Sequence, residues 1–102
     1  MKILTLDPVD DAMVKQCALI LMRAFKQHHP LPWPTLGSAK EELTAFSGED
    51  RIALVAIDSQ TQVLGWVGAI RQYAGHAWEL HPLAVDPPRQ LQGVGSLLVQ
   101  AL

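Results

Sequence analysis

The sharpest constraint on this chain is Gln90-Leu91-Gln92-Gly93-Val94-Gly95, set where an apolar strand-like run ends and a helical apolar stripe begins. Two closely spaced glycines allow a tight turn with little side-chain bulk, so that N–H groups at a helix start can point at an anion. A strand, glycine turn and helix in that order imply a mixed α/β fold and a phosphate cradle. A nucleoside triphosphate loop needs Lys and Ser/Thr after its last glycine, whereas Ser96-Leu97 follow Gly95 here. A dinucleotide fold asks for a third glycine where Leu98 stands and an acidic residue about 20 positions further on, which argues against that use as well. On the turn alone, the owner of the phosphate stays open.

The 102 residues amount to one small domain, and a chain of that size buries only about 60–70% of its unfolded surface. With 49% apolar and 18% charged residues, the composition is that of a folded globular chain. The net charge of −2, with no Lys/Arg cluster, gives no footing for nucleic acid. Cys17 is the sole cysteine, so no internal disulfide forms. The N-terminus lacks a secretory pattern, and the longest apolar run, residues 17–22, is far too short to cross a bilayer. A cytoplasmic protein is expected.

Residues 1–6 read as an edge-like first strand. Asp7 then caps a helix with Pro8 in its first turn, and Met13, Cys17, Ile20, Leu21 and Ala24 share one face. The prolines of residues 28–34 force an extended loop, after which Ser38 and Glu41 fit a capping box for a short helix that turns Leu43 and Phe46 inward and ends at Gly48. The almost wholly apolar stretch 51–58 predicts a strand covered on both faces. Residues 62–73 and 78–85 follow as the other members of an antiparallel meander, turned at Ala74-Gly75-His76. Val94, Leu97, Leu98 and Ala101 form the last helical stripe. No stop signal follows it, and the strand at 78–85 has no later partner, so the chain is expected to be the N-terminal portion of a longer domain.

Alternation along 78–85 sends Glu79, His81 and Leu83 to one face unless a bulge at Pro82 interrupts it. A carboxylate there can hold a substrate ammonium and a neutral imidazole can pass a proton near pH 7; the plain alternative is an Arg-paired Glu79 and a hydrogen-bonded core His81. Trp33, with Glu41 and Glu42, either borders a cationic substrate or closes the core. His28-His29 diverge at a helix end without a Cys/Asp partner at ligand spacing, so no metal site is expected. Cys17 reads as a buried structural thiol and Trp66 as packing. Arg71, Gln72 and Tyr73 could at most rim a substrate site.

Gln90-x-x-Gly93-x-Gly95, taken with Trp78-Glu79-Leu80-His81-Pro82-Leu83 and the stretch from Gly65 to Tyr73, resembles the acetyl-CoA motif of the GNAT N-acetyltransferases, in particular the aminoglycoside 6'-N-acetyltransferase branch. The resemblance is good over residues 51–102 and looser over 33–46. It implies that Glu79 binds the acceptor amine beside His81, that the Leu83 N–H polarises the thioester carbonyl, and that Ala84 and Val85 pair with the pantetheine arm. Gln90 belongs to the same motif, while Gln92, Gly93, Val94, Gly95 and Ser96 hold the pyrophosphate through backbone amides. The implied reaction is direct attack of a neutral amine on acetyl-CoA, without a covalent enzyme intermediate. The acceptor it implies is an aminoglycoside, with another small amine or a peptide amine, or a non-catalytic CoA- or partner-binding module, as alternatives. It also implies a homodimer, and a leaving-group tyrosine in a C-terminal half; Tyr73 stands too early for that role.

Overall fold

The architecture, taken from a computed structural model, follows from the one stretch that alternates between two cores. It describes residues 1–27, 29–46, 50–71, 78–90 and 92–102, with the backbone alone for 78–81. Strand β2 (Arg51–Ile57) sends Ala53, Val55 and Ile57 into one apolar cluster and Leu54 and Ala56 into another. The period-two geometry of a strand makes this two-faced burial the direct consequence of an unbroken apolar run. Strands β1 (Lys2–Thr5), β3 (Val63–Arg71) and β4 (Trp78–Val85) complete a four-stranded antiparallel sheet in the order β1-β2-β3-β4. The meander expected from sequence is therefore present, and β4 lies at an edge of the sheet.

One face carries α1 (Asp11–Ala24) and α2 (Leu36–Thr44), whose Cys17, Ala18, Ile20, Leu21, Ala39 and Leu43 are buried against Ala53, Val55, Ile57 and Trp66. The other face carries α3 (Val94–Gln100), whose Val94 and Leu98 pack on Leu54, Ala56, Leu64 and Val67. The expected stripe is narrower than the sequence suggests. Leu97 and Ala101 point outward, and Leu102 instead continues the line of Val94 and Leu98 at four-residue spacing.

Both helix starts shift from their expected positions for identifiable reasons. Asp7 is consumed by the preceding turn, accepting the Val9 N–H on its carboxylate at 3.0 Å and the Asp10 N–H on its carbonyl at 3.0 Å. The cap of α1 is consequently Asp10, whose side chain accepts the Met13 N–H at 3.1 Å. For α2 the capping box is Thr35 with Ser38, because Ser38 serves as the reciprocating third residue and is not itself the cap. Glu41 is thus released from the capping role, and α2 ends at Thr44 with Phe46 buried beyond it. Gly48, His28 and the turn at residues 74–76 lie outside the described residues.

Two register shifts shape the sheet. Ala56 pairs with Gly65 and Ile57 with Val63, so β3 carries an extra residue beside β2. Val67 pairs with Leu83 and Ala69 with Leu80, so β4 carries an extra residue beside β3. The second shift falls in the segment containing Pro82, which cannot donate a ladder hydrogen bond. Strict alternation from Glu79 to Leu83 is therefore broken, as a bulge at Pro82 would require. Glu79 stands in register with Ile70, which packs toward α1 and α2, whereas Leu83 stands with Val67, which packs toward α3. Among the described residues no helix is long and apolar enough to cross a membrane.

Candidate functional site

The end of β4 and the start of α3 enclose the glycine turn. Val85 ends the strand, a single 3-10 turn (Pro87–Arg89) follows, and Gly93 precedes α3 with φ of +83°. At that φ an L side chain is strained, which explains glycine at this position. No side chain caps α3. The first N–H groups of a helix have no intrahelical acceptor, so this start keeps donors for an outside anion, at the end where the helix dipole is positive.

A cavity of about 230 Å³ lies at this point, lined by Val85, Arg89, Gln90, Gly93, Val94, Gly95 and Ser96. An open groove of about 500 Å³, lined by Leu83, Gly95, Ser96, Val99 and Gln100, shares Gly95 and Ser96 with it. The two spaces therefore adjoin along the first turn of α3, one rimmed by the phosphate-type turn and the other by Leu83 and Val99, which are 38% and 39% exposed. An added Cβ on Gly95 would sit 3.7 Å from both Leu83 Cδ2 and Val85 Cγ2, so this turn packs directly over the end of β4.

Of the residues singled out in the sequence, Leu83, Val85, Gln90, Gly93, Val94, Gly95 and Ser96 come together around these adjoining spaces. Ala84 is buried with its side chain in the core beneath α1 and α2, leaving only its backbone for a ligand. Gln92 is exposed and does not line the cavity. Glu79 and His81 lie on β4, but their side chains fall outside the described residues. Trp33 is half-buried against the core and meets Phe25 edge-to-face at 5.3 Å and 77°. Trp66 is fully buried, 6.2 Å from the Phe46 ring, and its indole N–H has no hydrogen-bond partner among the described residues.

Arg89 is the residue that sequence reasoning missed. Among the described residues it is the one charged residue in the lining of the 230 Å³ cavity, and it also borders a cleft of about 400 Å³ with Gln16, Arg23, Asp58 and Asp86. A cation immediately before a glycine-rich turn was the available signal. The neighbouring cleft is largely committed to internal bonds. Gln16 Oε1 accepts the Val63 N–H at 3.1 Å, and Asp58 Oδ1 accepts the Gln60 and Gln62 N–H groups at 2.8 and 2.9 Å. Those bonds, led by the one from Gln62 and helped by the Arg89 charge, hold the Asp58 carboxyl below its usual value against slight desolvation.

Cys17 has the opposite character. Burial, and secondarily the Asp10 carboxylate, push its thiol from 9.0 up to about 12, so it is not a nucleophile. Among the described residues no group of His, Cys, Asp and Glu could hold a metal ion.

The model of the Acetyltransferase (GNAT) family matches residues 17–102. No curated protein matches the sequence at a significant level. An aminoglycoside 6'-N-acetyltransferase solved with coenzyme A superposes on 99% of this chain and 52% of its own, with a TM-score of 0.79 and 30% identity. An aminoglycoside 6'-acetyltransferase type Ii superposes on 99% of this chain and 61% of its own, with a TM-score of 0.78 and 31% identity. The aminoglycoside 6'-N-acetyltransferase from Enterococcus faecium gives 99%, 52%, 0.78 and 31% in the same terms. The chain thus spans between 52% and 61% of the length of these similar structures.

Proposed function

We propose, on the premise that the chain belongs to the acetyltransferase (GNAT) family, that its protein transfers an acetyl group from acetyl-CoA to a primary amine, the 6'-amine of an aminoglycoside. The observation that carries the first half is the start of α3 behind Gly93, with no side-chain cap among the described residues, opening on a 230 Å³ cavity whose lining includes Arg89. This space suits a pyrophosphate, with the N–H groups that start α3 and a basic residue, Arg89, both in its surroundings. The adjoining groove past Leu83 suits the less polar arm of the same molecule. The acceptor half rests on the 30–31% identity to aminoglycoside acetyltransferases and on the sequence of β4. The 102 residues are read here as the N-terminal portion of the domain, in keeping with their share of those structures.

Acetyl-CoA supplies the acetyl thioester. The amine nitrogen forms the new bond to the carbonyl carbon, the C–S bond breaks, and the thiolate of CoA leaves and takes up a proton. The Leu83 N–H is assigned to the carbonyl oxygen, where a fixed donor favours the developing negative charge over the ground state. Ala84 and Val85 are assigned to the pantetheine arm through their backbone. Gln90, Gly93, Val94, Gly95 and Ser96, which line the 230 Å³ cavity, are assigned to the pyrophosphate, and Gln92, which does not line it, is left out of that role. Glu79 and His81 are assigned to the acceptor, Glu79 holding its ammonium and either of them, or a water, receiving the proton that the amine must lose. Trp33 borders the acceptor side in this reading. Holding both substrates together supplies much of the acceleration, with no covalent intermediate.

The test is to incubate the intact protein with acetyl-CoA and a panel of kanamycin-type aminoglycosides, polyamines and peptide amines, and to follow free thiol. Thiol release with aminoglycosides is expected. Turnover confined to another amine class overturns the acceptor assignment, and CoA binding without turnover on any amine overturns the catalytic one. Replacing Glu79 with Ala should weaken use of the cationic acceptor far more than CoA binding; equal loss of both would make Glu79 structural.

A further inference from the structure

We infer that Arg23, at the end of α1, is a positioning residue for the phosphate-binding turn, acting through Asp86. The inference rests on the proposed use of that turn for acetyl-CoA. Arg23 Nε donates to Asp86 Oδ1 at 3.2 Å, joining two residues 63 positions apart. Asp86 directly follows β4 and occupies the cap position of the turn Pro87–Arg89, yet its side chain caps no N–H there. Its carboxylate is given to α1 instead.

The backbone of Asp86 is the starting point of the turn. Its N–H donates to Leu64 O at 2.8 Å, which ties it to β3, and its carbonyl accepts the Arg89 N–H at 2.7 Å. Gln90 then donates its N–H to Pro87 O at 3.3 Å and its side-chain amide to Val85 O at 3.2 Å. Val85, Arg89 and Gln90 of this series line the 230 Å³ cavity, and Arg89 and Gln90 are the two that lie beyond Asp86. The path from Arg23 to the cavity is therefore one ion pair followed by one backbone turn.

Docking of α1 does not need the pair. Cys17, Ala18, Ile20 and Leu21 are each at most 1% exposed and already hold the helix to the sheet. The pair's own contribution to global stability is small, because the Arg23 side chain is 52% exposed and the Asp86 side chain 22%. Its consequence is geometric: a rigid helix fixes the direction in which the turn leaves β4. Losing it lets Arg89 and Gln90 move relative to the start of α3, which costs affinity for a ligand that bridges both.

The experiment measures binding of CoA and of phosphate-free pantetheine to the intact protein by calorimetry, with Arg23→Ala, Arg23→Lys, Asp86→Ala and the double Ala variant. Arg23→Ala should weaken CoA binding about two- to fivefold, the range expected of a partly exposed ion pair. It should leave pantetheine binding and the thermal midpoint close to those of the unsubstituted protein. Asp86→Ala should match it, the double variant should be no worse than either single, and Arg23→Lys should recover part of the loss. Equal weakening of CoA and pantetheine, or additive effects of the two Ala changes, would make the pair merely structural and overturn the inference. If the unsubstituted protein binds no CoA, the cofactor reading fails and this one with it. CoA binding that Arg23→Ala leaves unaltered defeats this inference alone.

Discussion

Gly65→Ala is the substitution for which the structure gives the firmest magnitude. Gly65 lies in β3 opposite Val85, at the end of β4 that leads into the glycine turn. A Cβ there would stand 2.8 Å from the Ala84 carbonyl oxygen, 3.2 Å from Val85 Cα and 3.3 Å from Val85 Cγ2. The nearest atom is backbone, and it falls about 0.6 Å short of the 3.4 Å at which ordinary contact begins. No rotamer change can relieve that, so β4 must move away from β3. Overpacking of this kind costs about 1–3 kcal/mol, and the chain-entropy gain of about 0.4–1 kcal/mol on replacing glycine offsets only part of it. The difference is a net loss of up to about 2.6 kcal/mol, and each kcal/mol lowers Tm by roughly 4–8 °C for a domain of this size. The assay is urea and thermal unfolding with calorimetric CoA binding alongside, and CoA affinity should fall because Val85 lines the cavity. Gly37→Ala is the control: its Cβ meets only Thr35 Oγ1, at 3.8 Å, in the first turn of α2, and it should stabilise slightly. A Gly65→Ala protein as stable as the parent would refute the close approach of β3 and β4 at this end.

Gly93→Ala meets no atom of the described residues within 4 Å, so its penalty there is that of the left-handed backbone, about 1–2 kcal/mol, read as a lower urea midpoint together with weaker CoA binding. Cys17 should resist a thiol reagent in the native protein at pH 8 and react on unfolding; fast native labelling would contradict its burial. Because its folded pKa is raised, its neutral form favours the native state below the unfolded value of 9.0, and that stability should be lost as pH rises from 9.0 toward about 12, a loss that Cys17→Ala removes. Asp58 works in the opposite sense: its folded pKa is lowered, so its contribution is present above the usual 3.8 and is lost as pH falls through the lower folded value. Acid unfolding of Asp58→Ala should consequently show a shallower pH dependence than the parent in that window, and an identical profile would count against the Asp58 turn bonds.

The fold was legible wherever burial and period agree. An apolar run bounded by Arg51 and Asp58 could only be a two-faced strand, and the face of α1 through Cys17 and Leu21 followed from spacing alone. Legibility failed where two local solutions compete for the same residues. Asp7 and Asp10 both precede the helix, and the turn of Pro8 and Val9 decides between them by using Asp7 first. Ser38 fits a cap as well as Thr35 does, and the extended backbone of Thr35 at φ −128° and ψ 158°, just after Pro34, makes Thr35 the cap. The extra residue of β4 was readable only as a possibility at Pro82, because a bulge is fixed by the partner strand.

The candidate site divides along the same line. Gly93 announces itself locally, since a positive φ before a helix is a demand that one residue type meets, and with it the presence of a tight turn into a helix could be read from the chain. Its placement could not. The turn leaves the sheet where Gly65 lets β3 approach the Ala84 carbonyl, and it is aimed by an ion pair between Asp86 and a helix that ended 62 residues earlier, at Ala24. Neither placement could be read from the chain, because a glycine in a strand and an arginine near a helix end do not say which distant segment they meet. Arg89 escaped notice for a related reason: a motif counted from Gln90 begins one residue too late to include the cation that lines the cavity. What decides whether the turn can serve a pyrophosphate is therefore held largely outside the turn. Substitutions at Gly65 and Arg23 should accordingly disturb CoA binding even though neither residue lies in the glycine turn.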